Sequence, residues 1–256
     1  MPTDHPTAPL DNPVWAALTG PHQAFAVAGP GGLAARYLPA ANPFAALADP
    51  HDPASWADLA ALAGPGETVW LTGLPPAPPP GWDTVMTIPG VQLDGRAVRA
   101  EHAPEAVRLG PADVAEMTEL VRLTEPGPFL PRTVELGTYL GIRHEGRLVA
   151  MAGERMHPPG WTEISAVCTH PDHRGKGLAG RLIRAVAAGI RDRGEAPFLH
   201  AAAENTGAVR LYEAMGFTLR REPVFIGVRT PAASAASAAP ADPADSAAPA
   251  DSLNTA

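Results

Sequence analysis

One lysine and one cysteine stand in a chain of 256 residues. A single cysteine, Cys168, excludes an internal disulfide framework and a cysteine zinc cluster, so neither a disulfide scaffold nor a metal centre is expected. Positive charge is also in deficit: 19 Lys and Arg face 27 Asp and Glu, a net charge of −8. That balance argues against a nucleic-acid binder with a broad basic surface and leaves small cationic partners open. No apolar run approaches the length of a membrane span. The start, MPTDHPTAPLDNPVW, has neither the basic nor the apolar region of a signal peptide. A soluble, cytoplasmic protein is the expectation.

What the chain does have is unevenly spread. Its 31 prolines, 25 glycines and many alanines and arginines read as the bias of a GC-rich genome, while 45% apolar residues suffice for a core. Residues 231–256 hold 12 alanines, four prolines, four serines and three aspartates without a basic residue, the composition of a disordered tail. PPAPPP at 75–80 is a stiff loop. Within residues 1–95, FAVAGPGGLAARYL predicts a hairpin around Gly29–Gly32, PASWADLAALAG a helix closed by Gly64, and TVWLTGL a strand. This is an α/β region without a catalytic signature; a degenerate half-copy of the fold that follows, a substrate lid and a dimer surface are all open to it.

The texture changes over residues 96–230. AVRLGPADVAEMTELVRLT predicts a strand, a turn and a helix, and LGIRHEGRLVAMAGERMH predicts two strands joined at His144-Glu145-Gly146. In TEISAVCTH, period-2 alternation puts Glu163, Ser165 and Val167 on one face and Ile164, Ala166 and Cys168 on the other. Leu178, Leu182, Val186 and Ile190 form a helical stripe ending at Gly194. PFLHAAA (a strand), TGAVRLYEAM (a helix) and FTLRREPVFIGVR (a hairpin) complete a mixed sheet with helices on both faces.

The single lysine lies inside a glycine-rich run, HRGKGLAGRL. Gly175, Gly177 and Gly180 spell G-x-G-x-x-G, but in a dinucleotide fold the glycines follow the strand directly, whereas HPDHR intervenes here. A Walker loop fails because Lys176 is followed by glycine. An anion cradle fits better. Gly175 and Gly177 let backbone N–H groups turn toward a phosphate, the helix beginning near Leu178 adds its N-terminal amides, and Arg174 and Lys176 add charge. Such a site suits a pyrophosphate.

Arg174-Gly175-Lys176-Gly177-Leu178-Ala179 resembles the R/Q-x-x-G-x-G/A loop of the GNAT superfamily of acetyl-CoA-dependent N-acetyltransferases. VCTHPDH is similar to the strand end preceding that loop. ENTGAVRLYEAMGF resembles a second family element, with Asn205, Ala208, Tyr212, Gly216 and Phe217 in place. The resemblance covers Ala97 to Arg229 and implies a GNAT-like α/β (α+β) fold, its mostly antiparallel sheet splayed at the cofactor site. It implies that acetyl-CoA is the cosubstrate, that the backbone of Val167, Cys168 and Thr169 pairs with the pantetheine arm, that the loop from Arg174 to Gly180 holds the phosphates, and that Asn205 contacts the cofactor. Tyr212 matches the general acid that protonates the departing thiolate. For the base, His200, Glu163 and a water chain stay open. Cys168 reads as a buried core residue rather than a nucleophile, and Glu154 as a surface carboxylate rather than an amine ligand. The implied reaction is direct acetyl transfer to a primary amine, a small amine or an amino-acid-like acceptor, in a ternary complex; a non-catalytic acyl-CoA-binding or sensor protein is the rival.

Overall fold

Asn12 opens the chain's first α-helix, α1 (Pro13–Leu18), by accepting the Trp15 amide on its side chain while Pro13 sits in the first turn. The computed structural model describes residues 8–73 and 77–232, so part of the proline run and all but the first two residues of the tail lie outside the described residues. β1 (Ala26–Ala28) and β2 (Ala34–Tyr37) form the expected hairpin, and β3 (Ala45–Leu47) completes a three-stranded antiparallel sheet. On α2 (Pro53–Ala63), Asp58 accepts the amides of Gly31, Leu33 and Ala34 at 2.5–2.8 Å, tying the hairpin turn to the helix. Gly64 caps α2 at φ 90°, a conformation glycine adopts freely.

β4 (Thr68–Gly73) and β5 (Asp83–Asp94) then join a larger sheet. The chain continues through β6 (Val107–Leu109), α3 (Val114–Thr124), β7 (Tyr139–His144), β8 (Arg147–Glu154) and β9 (Trp161–Thr169). After these come α4 (Leu178–Asp192), β10 (Ala196–Ala202), α5 (Thr206–Ala214), β11 (Thr218–Arg221) and β12 (Val224–Arg229). The large sheet has nine strands in the order β4-β12-β5-β10-β9-β8-β7-β6, with β11 also on β5. Within it only β9 and β10 run parallel. Two strands from the first 95 residues are therefore built into the same sheet as the rest, and β5 lies near its middle.

One strand is added here and one expectation changes. β5 carries no expectation from the sequence, yet it is the longest strand among the described residues. FTLRREPVFIGVR does not fold into a hairpin: β11 pairs with the Gln92–Asp94 end of β5 and β12 with Asp83–Pro89, so the two lie end to end along β5. β5 offers both of them one continuous edge, so they share a partner instead of pairing with each other.

Helices cover both faces of the sheet. The α4 stripe, Leu178, Leu182, Val186 and Ile190, is buried as its spacing predicts, among Leu93, Ile164 and Leu199. Each such side chain contributes roughly 1.5–3 kcal/mol when fully buried. α3 covers the other face with Met117 and Leu120 against Tyr139, Met151 and Cys168.

Candidate active site

The site begins with an irregularity in β9. Across β8, Met151 pairs with Cys168 but Gly153 pairs with Ser165, so Ala166 and Val167 together oppose Ala152. Ala166 takes up the extra residue at φ 52°, the left-handed region that a side chain occupies at a cost of about 1–2 kcal/mol. The bulge reverses the alternation expected from the sequence. Ile164 and Val167 both pack in the α4 cluster, whereas Ala166 and Cys168 pack in the α3 cluster. Cys168 is thus not opposite Glu163, nor does Val167 share Glu163's face. A bulge is invisible to period-2 reading because no residue in SAVC demands it.

Beyond the bulge β9 parts from β10. The two strands pair from Ala196 opposite Trp161 to Leu199 opposite Ile164 and no further. The β9 edge at Val167–Thr169 that faces away from β8 is left without a strand partner. Into this fork opens a cleft of about 580 Å³. Val167, Cys168 and Thr169 form one wall, and Asn205 and Tyr212 come from the opposite side. Arg174, Gly175, Gly177, Leu178, Ala179 and Gly180 close one end. Thr124, Glu125 and Pro126, at the end of α3, also line it and went unread in the sequence, because nothing local to that helix end points to the glycine loop.

The loop has the backbone of an anion cradle. Gly175 and Gly177 lie at φ 74° and 73°, and Gly177 is the N-cap of α4. A Cβ added to either would touch nothing within 4 Å, so the backbone conformation, not crowding, is what requires glycine. Lys176 is in the loop but does not line the cleft: its Nζ lies 3.4 Å from Nδ1 of His173. Asn205 caps α5 by accepting the Ala208 amide at 3.1 Å.

Tyr212 is buried, and burial, with the neighbouring Cys168 adding to it, pushes its phenol up to about 12. It is therefore protonated at neutral pH and able to donate. Burial likewise raises the Cys168 thiol to about 11, against smaller opposing effects of Thr124 and Met151, which leaves little thiolate to act as a nucleophile. On the β9 wall, the Thr169 hydroxyl is buried with no partner among the described residues, a polar atom that a hydrogen-bonding ligand in the cleft would satisfy.

The two side chains named as candidate bases are elsewhere. Glu163 is fully enclosed and receives both Arg155 Nε and Nη2, at 2.8 and 2.7 Å. Burial would raise its carboxyl, but the charge and hydrogen bonds of Arg155 and the bond from His200 hold it at about 2. His200 Nδ1 lies 2.8 Å from Glu163 Oε1, and its side chain is 1% exposed. Neither residue lines the cleft. Sequence reading named both partners but not the pair, since Arg155, Gln92 and Arg220, which complete their network, come from three other strands or strand ends. Glu154, expected at the surface, is buried and holds Arg193 at 3.0 Å and the Thr138 amide at 3.0 Å.

Among the described residues no helix is long and apolar enough to cross a membrane, and no group of three or more His, Cys, Asp or Glu could hold a metal ion. A family model described as FR47-like protein matches residues 139–226. Among solved structures, an acetyltransferase from the GNAT family of Novosphingobium aromaticivorans is 45% identical, covering 88% of this chain and 98% of its own, with a TM-score of 0.78. A GCN5-related N-acetyltransferase from Kribbella flavida, 19% identical over 85% of this chain and 94% of its own, is similar in fold at a TM-score of 0.55. No curated protein matches the chain. With 45% identity sustained through nearly the whole of a GNAT structure, and the forked sheet and glycine loop on one cleft, the chain belongs to the GNAT family and is an acyltransferase.

Proposed function

We propose that the protein is an N-acetyltransferase that takes its acetyl group from acetyl-CoA and delivers it directly to a small primary amine held in the same cleft. The observation that carries this reading is the meeting, in one cleft, of an unpaired strand edge, a left-handed glycine loop at a helix N-terminus, and a protonated tyrosine. Bound acetyl-CoA would supply the thioester whose acetyl group is transferred. The Val167–Thr169 edge offers backbone groups to an extended amide-bearing arm, as a missing strand would, and one of its N–H groups is suited to polarise the acyl carbonyl. Arg174, with the amides of the glycine loop and of the first turn of α4, holds the phosphates. Tyr212 Oη delivers a proton to the departing sulfur.

The incoming amine must also lose a proton before it attacks. Glu163 and His200 bond to each other and to Arg155 and Gln92 outside the cleft, which supports water in the cleft as the acceptor of that proton. A thiol-release assay with acetyl-CoA across a panel of primary amines tests the reading. Amine-dependent release of CoA thiol is expected; tight CoA binding with no release for any amine would make the protein an acyl-CoA sensor instead.

A further inference from the structure

β10 leaves one neighbour and keeps the other. Its pairing with β9 ends at Leu199, yet it stays on β5 from Phe198 opposite Asp94 to Ala202 opposite Gly90. β5 belongs to the first 95 residues, which carry no catalytic signature. At the rung where the fork opens, His200 lies directly across from Gln92. There the side chains form a continuous chain of hydrogen bonds, buried at the Arg155 end and part-buried beyond it, from Arg155 through Glu163, His200 and Gln92 to Arg220.

The direction of each bond in this chain is determined. Arg220 Nη1 lies 2.7 Å from Gln92 Oε1 and can only donate. Gln92 Nε2 lies 3.0 Å from the carbonyl of Leu10, which can only accept. The amide of Gln92 therefore has one orientation, and it presents its other N–H to His200 Nε2 at 3.0 Å. His200 Nε2 accepts, so the ring proton is on Nδ1 and is donated to Glu163. Both nitrogens of the imidazole are used, Nδ1 toward β9 and Nε2 toward β5.

We propose that Gln92 is a positioning residue for the cofactor cleft: by holding His200 in this tautomer it pins β10 to β5 and keeps the β9 edge free for a ligand. The first 95 residues thereby gain a role in the site, to supply the strand that holds the fork open. The proposal rests on the acyl-CoA reading for its effect on affinity, but its effect on β10 is measurable without any ligand.

The test compares the full chain with Gln92→Leu, which removes the amide, and Gln92→Glu, which keeps the size and the bond from Arg220 but replaces the donor to His200. Amide exchange is followed along β10, CoA binding by calorimetry, and the His200 tautomer by ¹⁵N NMR. Expected are a proton on Nδ1 in the wild type, exchange at least tenfold faster at Ala201–Ala203 with Ala196–Phe198 unchanged in the variants, and CoA affinity at least tenfold weaker. KM for acetyl-CoA should follow the affinity while kcat stays within about threefold, because Gln92 touches no reacting atom. If Gln92→Leu does not fold, Gln92→Glu alone decides. Unchanged exchange, or exchange that rises equally along the whole of β10, overturns the pin. Local acceleration with unaltered CoA affinity overturns its bearing on the cleft. A wild-type chain that binds no CoA overturns the acyl-CoA reading instead and is seen before any variant is made.

Discussion

Tyr212 combines burial, a phenol held protonated, and a place on the cleft wall, three properties that a proton donor to sulfur requires. Its ring packs edge-on to Phe217 at 5.8 Å between centroids, so removing only the hydroxyl leaves the packing intact. Tyr212→Phe is expected to lower kcat by about 10²- to 10⁴-fold with little change in CoA affinity, the usual reach of general acid catalysis. Steady-state kinetics beside a CoA titration checks this, and full activity in the variant refutes the assignment. Cys168 lines the same cleft and illustrates the opposite case. A thiol raised to about 11 by burial stays protonated, so thiol reagents should modify it slowly in the folded chain.

At the scale of elements, two backbone kinks shape the cleft, and each yields a test. Ala166 bears the β9 bulge at φ 52°, where a branched side chain is strained further. Ala166→Val should destabilise the fold by about 1–3 kcal/mol and weaken CoA binding, whereas Ala166→Gly should retain binding. Equal CoA affinity in all three proteins would show that the bulge does not shape the wall. Gly177, at φ 73° before α4, has open space around it, so the penalty of Gly177→Val is conformational. Forcing the loop toward negative φ turns its amides out of the cradle. CoA affinity should fall well over tenfold, about 1.4 kcal/mol or more, in a variant whose melting temperature shows that it is still folded. Calorimetry showing unchanged affinity would remove the loop from the phosphate site.

The whole molecule carries its acid sensitivity in the seam between the small sheet and the large one. His22 donates from Nε2 to the Leu136 carbonyl at 3.1 Å and accepts the Tyr37 hydroxyl on Nδ1 at 3.0 Å, while its ring lies 4.6 Å from that of His157. Burial, then the nearby His157, lowers His22 to about 3, and burial, then Arg193, lowers His157 to about 4. Both fall below the ordinary value of 6.5, so the unfolded chain binds protons that the folded one refuses. Their stabilising contribution is complete above pH 6.5 and is lost as pH falls toward 4 and 3, by at most about 1.4 kcal/mol per pH unit for each histidine. Glu163, held near 2 against an ordinary 4.5, adds a further loss below pH 4.5. Glu154 works the other way: burial raises its carboxyl, against the Thr138 amide and Arg193, so its contribution is lost as pH rises past 4.5. The melting temperature should start to fall near pH 6.5, and His22→Gln should flatten the slope between pH 6.5 and 4.5. An identical slope in wild type and variant would locate the acid sensitivity elsewhere.

Features whose cause lies within a few residues were legible in the sequence. Glu145 and Gly146 both take positive φ at the turn between β7 and β8, as a two-residue turn in a hairpin demands. The α4 stripe and the glycine loop are likewise local, one set by the 3.6-residue period and the other by backbone freedom. Tertiary structure alone decided the rest. Placement of β5 between β10 and β12 depends on pairing across more than 100 residues, and it laid the two strands of the expected hairpin end to end on one edge of β5. The bulge at Ala166 is imposed by the β8 register and reversed the faces of β9. Glu163 and His200 carry the residue types of a base, yet Arg155, Gln92 and Arg220 enclose them. Local periodicity and turn chemistry act along the chain, whereas strand order, register and the partners of a buried charge are fixed only by what packs against it from elsewhere.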